Sequence, residues 1–186
     1  MMLMSGHNIW VSMLAATGAG MLAGLATGIF HTFMGIPAIL AGILTQLGLY
    51  SANLKIMGKA NQAVNGNKYN LLVSLRNVKG VPFYQNTILI IAVFIVVLIA
   101  ILYWFFGTEL GCSLRSTGCN PNMSRAQGIN TNVCKVLGLM ISNGLVALSS
   151  ALLAQYQGFA DVNMGRGAIV IGLASDVFSA ILHFVF

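Results

Sequence analysis

Long uncharged stretches alternate with polar ones along this chain. The first apolar stretch covers residues 9–30 and holds no charged residue. A short break at 31–37 follows, where Gly35 and Pro37 fit a tight turn and Pro37 suits the start of a helix. The second stretch, 38–54, is interrupted by Thr45, Gln46, Tyr50, Ser51 and Asn53. The third, 86–106, is rich in Ile and Val and ends in Tyr103 and Trp104, residue types that gather where membrane meets water. The fourth covers 135–154 and the fifth 168–186. A helix needs roughly 20 apolar residues to cross the hydrocarbon layer. Each stretch is therefore expected to cross or deeply enter a bilayer. The expected fold is all-α: a polytopic membrane helical bundle of about five hydrophobic segments, one domain over residues 1–186.

Composition strengthens this reading. Of the 186 residues, 58% are hydrophobic and 6% charged, whereas a soluble domain carries roughly 25% charged residues. So few charges cannot cover a surface in water, and lipid must cover it instead. The net charge of +6 comes from Lys and Arg scattered through the polar stretches, without a basic run. Charges so placed sit at lipid headgroups and bias orientation, and no nucleic-acid partner is expected. The opening MMLMSGHNIW lacks the basic start of a signal peptide and leads into a stretch of full spanning length. Cys112, Cys119 and Cys134 share one polar stretch, in neither CxxC nor a common zinc spacing. They read as free thiols, which suit the cytoplasm. No metal site and no cofactor are expected.

Two features of the spans bear on assembly and passage. Gly20, Gly24 and Gly28 form a double GxxxG. That spacing lets helix backbones approach closely where lipid offers no hydrophobic drive; it fits a subunit or bundle interface, and equally the ordinary use of glycine in membrane helices. Polar side chains at membrane depth need protein or a water-filled path, so the second segment, with Gln46 and Tyr50, is a candidate pathway helix. Catalytic signatures are absent: there is no GxxxxGKS/T, HExxH or GxSxG. The acids Glu109, Asp161 and Asp176 lie in different segments, and His7, His31 and His183 are isolated. An enzyme is therefore not expected. Asp176 would cost roughly 2.5–3.5 kcal/mol at mid-bilayer, so a position near an interface is the simpler reading.

The polar stretch 107–134 is the most specific part of the chain. Asn120 before Pro121 reads as an N-cap and first helical residue. Gly128 would supply the left-handed turn that ends the helix. The result is a short helix over 121–127 inside a loop between two spans. From Leu114 the sequence runs LRSTGCNPNMSRAQGINTNVCKVL. It resembles the cytoplasmic loop of the permease subunits of ABC importers in the branched-chain amino acid and ribose group, whose pattern is LRATGxNxxxARxxGIN followed by a Lys-containing helix start. Leu114, Arg115, Thr117, Gly118, Asn120, Arg125, Gly128, Ile129, Asn130 and Lys135 match that pattern. The stretches NGLVALSSALLAQYQGFADVNMGRGAIVIGLAS and HTFMGIPAILAGILTQLGLYSANLKIMGKAN resemble the branch grouped with tryptophan- or tyrosine-type uptake systems. The resemblance covers residues 10–175.

The resemblance implies a permease subunit of an ATP-driven importer of small polar solutes, amino acids foremost, working by alternating access in the cytoplasmic membrane of a bacterium. Its implied partners are an ATP-binding subunit, which hydrolyses the ATP, a second permease copy, an extracytoplasmic substrate-binding protein and the lipid bilayer. The helix at 121–127 becomes a cytoplasmic coupling helix, with Arg115, Gly118, Asn120, Pro121, Arg125, Ala126, Gly128, Ile129 and Asn130 as partner-binding residues. Arg115 and Arg125 would pair with carboxylates of the partner or with headgroups. Gln46, Tyr50, Asn143, Tyr156, Gln157, Phe159 and Asp161 become pathway and outer-loop residues. Residues 107–134 then face the cytoplasm, and 55–85 and 155–167 face outward.

The positive-inside rule opposes that orientation, with five basic residues in 55–85 against two in 107–134. The motif is specific and the count is a bias, so the motif takes precedence. The family pattern extends past this chain at both ends, and DVFSAILHFVF departs from its Val/Ile-Gly continuation, which implies a truncated chain. Residues alone leave two other readings open: an ion-gradient-driven secondary transporter or channel, and a non-transporting membrane scaffold.

Overall fold

The computed structural model describes residues 8–63, 87–163, 174, 175 and 178. In chain order the elements are α1 (Ile9–Thr32), α2 (Ala38–Met57), β1 (Asn61–Ala63), α3 (Thr87–Phe106), α4 (Glu109–Cys119), α5 (Pro121–Ala126), α6 (Thr131–Gln157) and β2 (Phe159–Asp161). Helices α1, α2 and α6 are each long and apolar enough to cross a bilayer, and α3 with α4 makes a fourth candidate bent by 80°. The fifth apolar stretch, with Asp176 and His183, lies outside the described residues apart from positions 174, 175 and 178. His7, Arg166 and residues 64–86 lie outside them too.

The surface is that of a membrane bundle. Among the described residues, Met13 and Ala41 are the buried apolar side chains, while Trp10, Leu14, Leu22, Ile39, Val96, Ile101, Tyr103 and Trp104 are each more than half exposed. In water such a surface would drive aggregation. In lipid it is the solvated state, and a spanning helix satisfies its backbone polar groups internally.

The bundle is organised on the seam between α1 and α6, which run antiparallel. Gly20 faces Asn143 and Ala147, Gly24 faces Leu139 and Met140, and Gly28 faces Val136. A Cβ placed on Gly24 would lie 2.8 Å from Met140 Cα, and one on Gly20 would lie 2.5 Å from Ala147 Cβ. The two backbones touch, and the glycine stripe spends its missing side chains on α6 of the same chain. In return, Gly144 makes room for Met21, whose Cγ is 2.9 Å from where a Cβ would stand. Helix α2 packs along α1, where the Thr27 hydroxyl donates to Thr45 Oγ1 at 3.0 Å and Thr45 donates to Ala41 O at 2.9 Å. The break between them is closed by His31, whose Nδ1 lies 2.9 Å from Ile36 O, and by Gly35 at φ 68°.

Helices overrun the apolar stretches because caps, not hydropathy, end them. Helix α2 continues to Met57, where Gly58 adopts φ 67° and donates its N–H to Leu54 O. Helix α6 begins at Thr131 rather than at 135. The Asn130 side chain accepts from the N–H groups of Asn132 and Val133 at 3.2 and 3.4 Å and so starts the helix a turn early. It ends at Gly158, φ 74°.

Residues 109–119, expected as loop, are instead the helix α4. Thr108 caps it by accepting from Gly111 N–H at 3.4 Å, and Glu109 in its first turn suits the positive end of the helix dipole. Gly111 lets α4 turn tightly under the end of α3: a Cβ there would lie 2.5 Å from Phe106 Cα. Leu114 lies over Gly138 of α6, 3.8 Å from where a Cβ would stand.

A second addition to the expected all-α fold is a small antiparallel ladder. It pairs Asn61 with Asp161, Gln62 with Ala160 and Ala63 with Phe159. Val162 N–H extends it to Ala60 O at 3.1 Å. The ladder joins the far ends of α2 and α6. The 27 residues of α6, at 1.5 Å each, hold it roughly 40 Å from the α5 end.

Candidate functional site

At one end of the bundle, α4, α5 and the start of α6 form a compact protruding loop. Helix α5 has only six residues, too few to be stable alone, so its neighbours must hold it. The Asn120 side chain accepts from the N–H groups of Asn122 and Met123, both at 3.1 Å. Pro121 occupies the first helical position, where its missing N–H costs nothing and its fixed φ is already helical. At the other end Gly128 stands at φ 82°. Its N–H donates to Arg125 O at 3.0 Å and Ile129 N–H donates to Ser124 O at 3.1 Å. These are the two bonds of a Schellman ending.

Below the helix, Ser124 is 2% exposed and hydrogen-bonds Asn120 O at 3.0 Å and the Ser116 hydroxyl at 3.2 Å. That serine pins α5 to α4, and nothing in its sequence setting marks it out. Sideways, Arg125 Nε donates to Thr131 Oγ1 at 2.8 Å. Outward, α5 presents Asn122, Met123, Arg125, Ala126 and Gln127, with Met123 60% exposed. On α4, Arg115 and Gly118 are exposed, and a Cβ on Gly118 would meet open space. Internal packing therefore gives no reason for glycine at 118. Asn130 serves as the α6 cap, and Ile129 is half-buried.

Removing the α5 cap leaves two backbone donors without their acceptor. Asn120→Ala is expected to destabilise the loop by about 1 kcal/mol, while Asn120→Asp keeps the acceptor and stays near the parent. Thermal unfolding of the detergent-solubilised chain measures both.

The residues expected along the pathway are not gathered into one place. Gln46 and Tyr50 sit half-buried one turn apart on α2. Asn143 lies in the α1–α6 seam and its amide donates back to Leu139 O at 3.0 Å. At the opposite end from α5, Tyr156 and Gln157 are exposed on the last turn of α6, and the ladder holds Phe159 and Asp161 against β1. The Asp161 carboxylate accepts from Asn163 N–H at 2.9 Å and so shapes the turn beyond β2. One polar group there had no sequence signal. Gln155, 3% exposed, buries an amide oxygen that has no hydrogen-bond partner among the described residues. An apolar cleft of about 440 Å³ runs between α3 and α6, lined by Phe94, Leu98, Leu145, Leu152 and Tyr156 among others.

Residues 1–184 match the family described as branched-chain amino acid transport system / permease component. The chain is 42% identical over 175 residues to a tyrosine transport system permease protein of Clostridioides difficile, covering 94% of this chain and 56% of that protein. It is 35% identical over 160 residues to an uncharacterized protein of Rickettsia prowazekii, covering 84% and 54%. It is 27% identical over 181 residues to the autoinducer 2 import system permease protein LsrC of Salmonella typhimurium, covering 97% and 50%. The chain thus spans about half the length of the curated relatives it matches. No solved structure matches it.

Proposed function

This chain belongs to the family of permease components of branched-chain amino acid transport systems, and from that premise we propose that it forms the transmembrane part of an ATP-driven importer of small polar solutes, amino acids foremost. The observation that carries the proposal is α5: a helix capped at both ends and anchored from beneath, offering an exposed methionine among polar side chains at one end of the bundle. A rigid protrusion of that kind suits a groove in a soluble partner, because its ordering cost is met before docking. The partner is an ATP-binding subunit, since the chain has no phosphate-binding loop of its own.

In this reading the α5 end lies in the cytoplasm of a bacterium and the ladder end lies outside, near Tyr156, Gln157 and Phe159, where an extracytoplasmic binding protein delivers solute. A second permease copy completes the pathway. Alternating access follows if the ATP-binding subunits dock α5 differently in their open and closed states, because only a difference in docking free energy shifts the bundle between conformations. The amino-acid class is supported by the tyrosine transport relative.

The test is recovery of an ATPase with the chain extracted from its host membrane. Wild type is expected to bring it down, and Met123→Glu to lose at least about tenfold of it, as for an anchor residue at the centre of an interface. The thermal midpoint of the variant should not move, because Met123 points away from the bundle. A folded, abundant wild-type chain that recovers no ATPase would refute the assignment.

A further inference from the structure

We propose that Arg125 and Thr131 form a tie that makes α5 and α6 move as one body, so that Arg125 is a positioning residue within the chain. The Arg125 Nε–H reaches Thr131 Oγ1 at 2.8 Å, and Thr131 is the first residue of α6 and 2% exposed. No docked protein can reach that hydroxyl. Donation through Nε fixes the plane of the guanidinium, because the group is rigid and delocalised. The tie therefore sets both the side-chain direction and the spacing between the two helices.

The other anchors of α5 lead elsewhere. Ser124 bonds to Asn120 and Ser116, which belong to the α4 side. The chain link from α5 to α6 runs through Gly128 at φ 82°, a residue whose backbone is permissive. Without Arg125–Thr131, a displacement of α5 would pass to α4, which divides it between α3, across the 80° bend, and α6, through Leu114 over Gly138. With it, the displacement enters α6 at its first residue. Helix α6 is in turn seated on the Gly20–Gly24–Gly28 stripe of α1, backbone against backbone. The tie thus gives α5 a direct path into α6 and α1, through contiguous packed groups, beside the indirect one through α4. The tie stands on the geometry; its use in transport rests on the importer reading.

The experiment uses the full chain with Cys112, Cys119 and Cys134 replaced by Ser and a nitroxide attached after Met123→Cys or, separately, Val146→Cys, both exposed positions. Thr131→Val removes the acceptor and keeps the shape, and Thr131→Ser retains it. At position 123 the Thr131→Val spectrum is expected to shift toward the mobile component, while Thr131→Ser matches the parent. An unchanged Thr131→Val spectrum overturns the tie, and this arm needs no partner. At position 146, in the complex with the recovered ATPase, the parent is expected to differ between nucleotide-free and vanadate-trapped states. Thr131→Val should reduce that difference while still recovering the ATPase, and Thr131→Ser should restore it. A difference undiminished in Thr131→Val overturns the role of the tie in driving α6. If the parent recovers no ATPase, the importer reading fails and the driven-helix claim falls with it, while the spectrum at position 123 still decides the tie.

Discussion

Gly24→Ala is expected to lower the stability of the bundle by about 3 kcal/mol, the upper end for an overpacked site. The added methyl group would meet the carbonyl oxygen of Leu139, the Leu139 carbonyl carbon at 2.8 Å and Met140 Cα at 2.8 Å. All three are backbone atoms, so no rotamer change relieves the clash and α6 itself must retreat. Gly20→Ala should cost about as much, because Ala147 Cβ at 2.5 Å and Asn143 O at 2.7 Å move only with the α6 backbone. Gly28→Ala should cost least, because the nearest atoms, at 3.1 Å, include the Val136 side chain. Gly18 is the internal control: it lies on the same helix with nothing within 4 Å of an added Cβ. Gly18→Ala should be neutral or stabilising by up to about 1 kcal/mol, since glycine is a poor helix former. Detergent unfolding of the solubilised chain, followed by helicity, gives the order. Equal shifts for Gly18→Ala and Gly24→Ala would mean that α1 and α6 do not meet along this stripe.

Gly111→Ala is expected to be comparably severe and to disturb the α5 end of the bundle as well. A Cβ at 111 would strike the carbonyl oxygen of Phe105 and approach Phe106 Cα to 2.5 Å, both on the last turn of α3. The bend between α3 and α4 would have to open. Because α5 is pinned to α4 through Ser116 and Ser124, the opening would carry α5 with it. Stability should fall by about 3 kcal/mol, and ATPase recovery should fall in step. Gly118→Ala on the same helix meets open space among the described residues and should leave the thermal midpoint unchanged or slightly raised, as for Gly18→Ala. Loss of ATPase recovery in Gly118→Ala at full stability would place position 118 in direct contact with the partner. A Gly111→Ala chain as stable as wild type would show that the tight α3–α4 turn is not required.

The parts of the fold that were legible share one property: their signal is local. Spanning helices announce themselves by length and apolarity, and Asn120, Pro121 and Gly128 are residue types suited to one backbone geometry each. Helix α4 was not legible, because ELGCSLRSTGC carries two glycines and few apolar residues. It is held by the turn of Gly111 under the end of α3 and by Leu114 over Gly138, the latter a contact between segments far apart in sequence, and tertiary packing overrides propensity in such cases. The ladder strands have three residues each, too short for alternation to show. Ser124 and Thr131 look like any surface hydroxyls until the loop closes over them. The glycine spacing fitted an interface and ordinary glycine use equally, and it named no partner, because GxxxG permits close approach without saying which helix approaches.

The β1–β2 ladder acts as a parity lock on membrane insertion. Its backbone bonds require the far ends of α2 and α6 to emerge on the same side of the bilayer. Residues 64–86 carry Lys68, Arg76 and Lys79 and contain no apolar stretch of spanning length. Between the two strands the chain must therefore cross the membrane an even number of times. Helix α6 supplies one crossing, so the bent pair α3–α4 must supply the other. A re-entrant hairpin that returned α4 to the ladder side would send the end of α6 to the wrong face and leave β2 without β1. For the same reason α2 and α6 cannot invert separately. Whatever pull Lys55 and Lys59 exert toward one leaflet is opposed by every helix laced to them, and the molecule inserts in one orientation or the other as a unit.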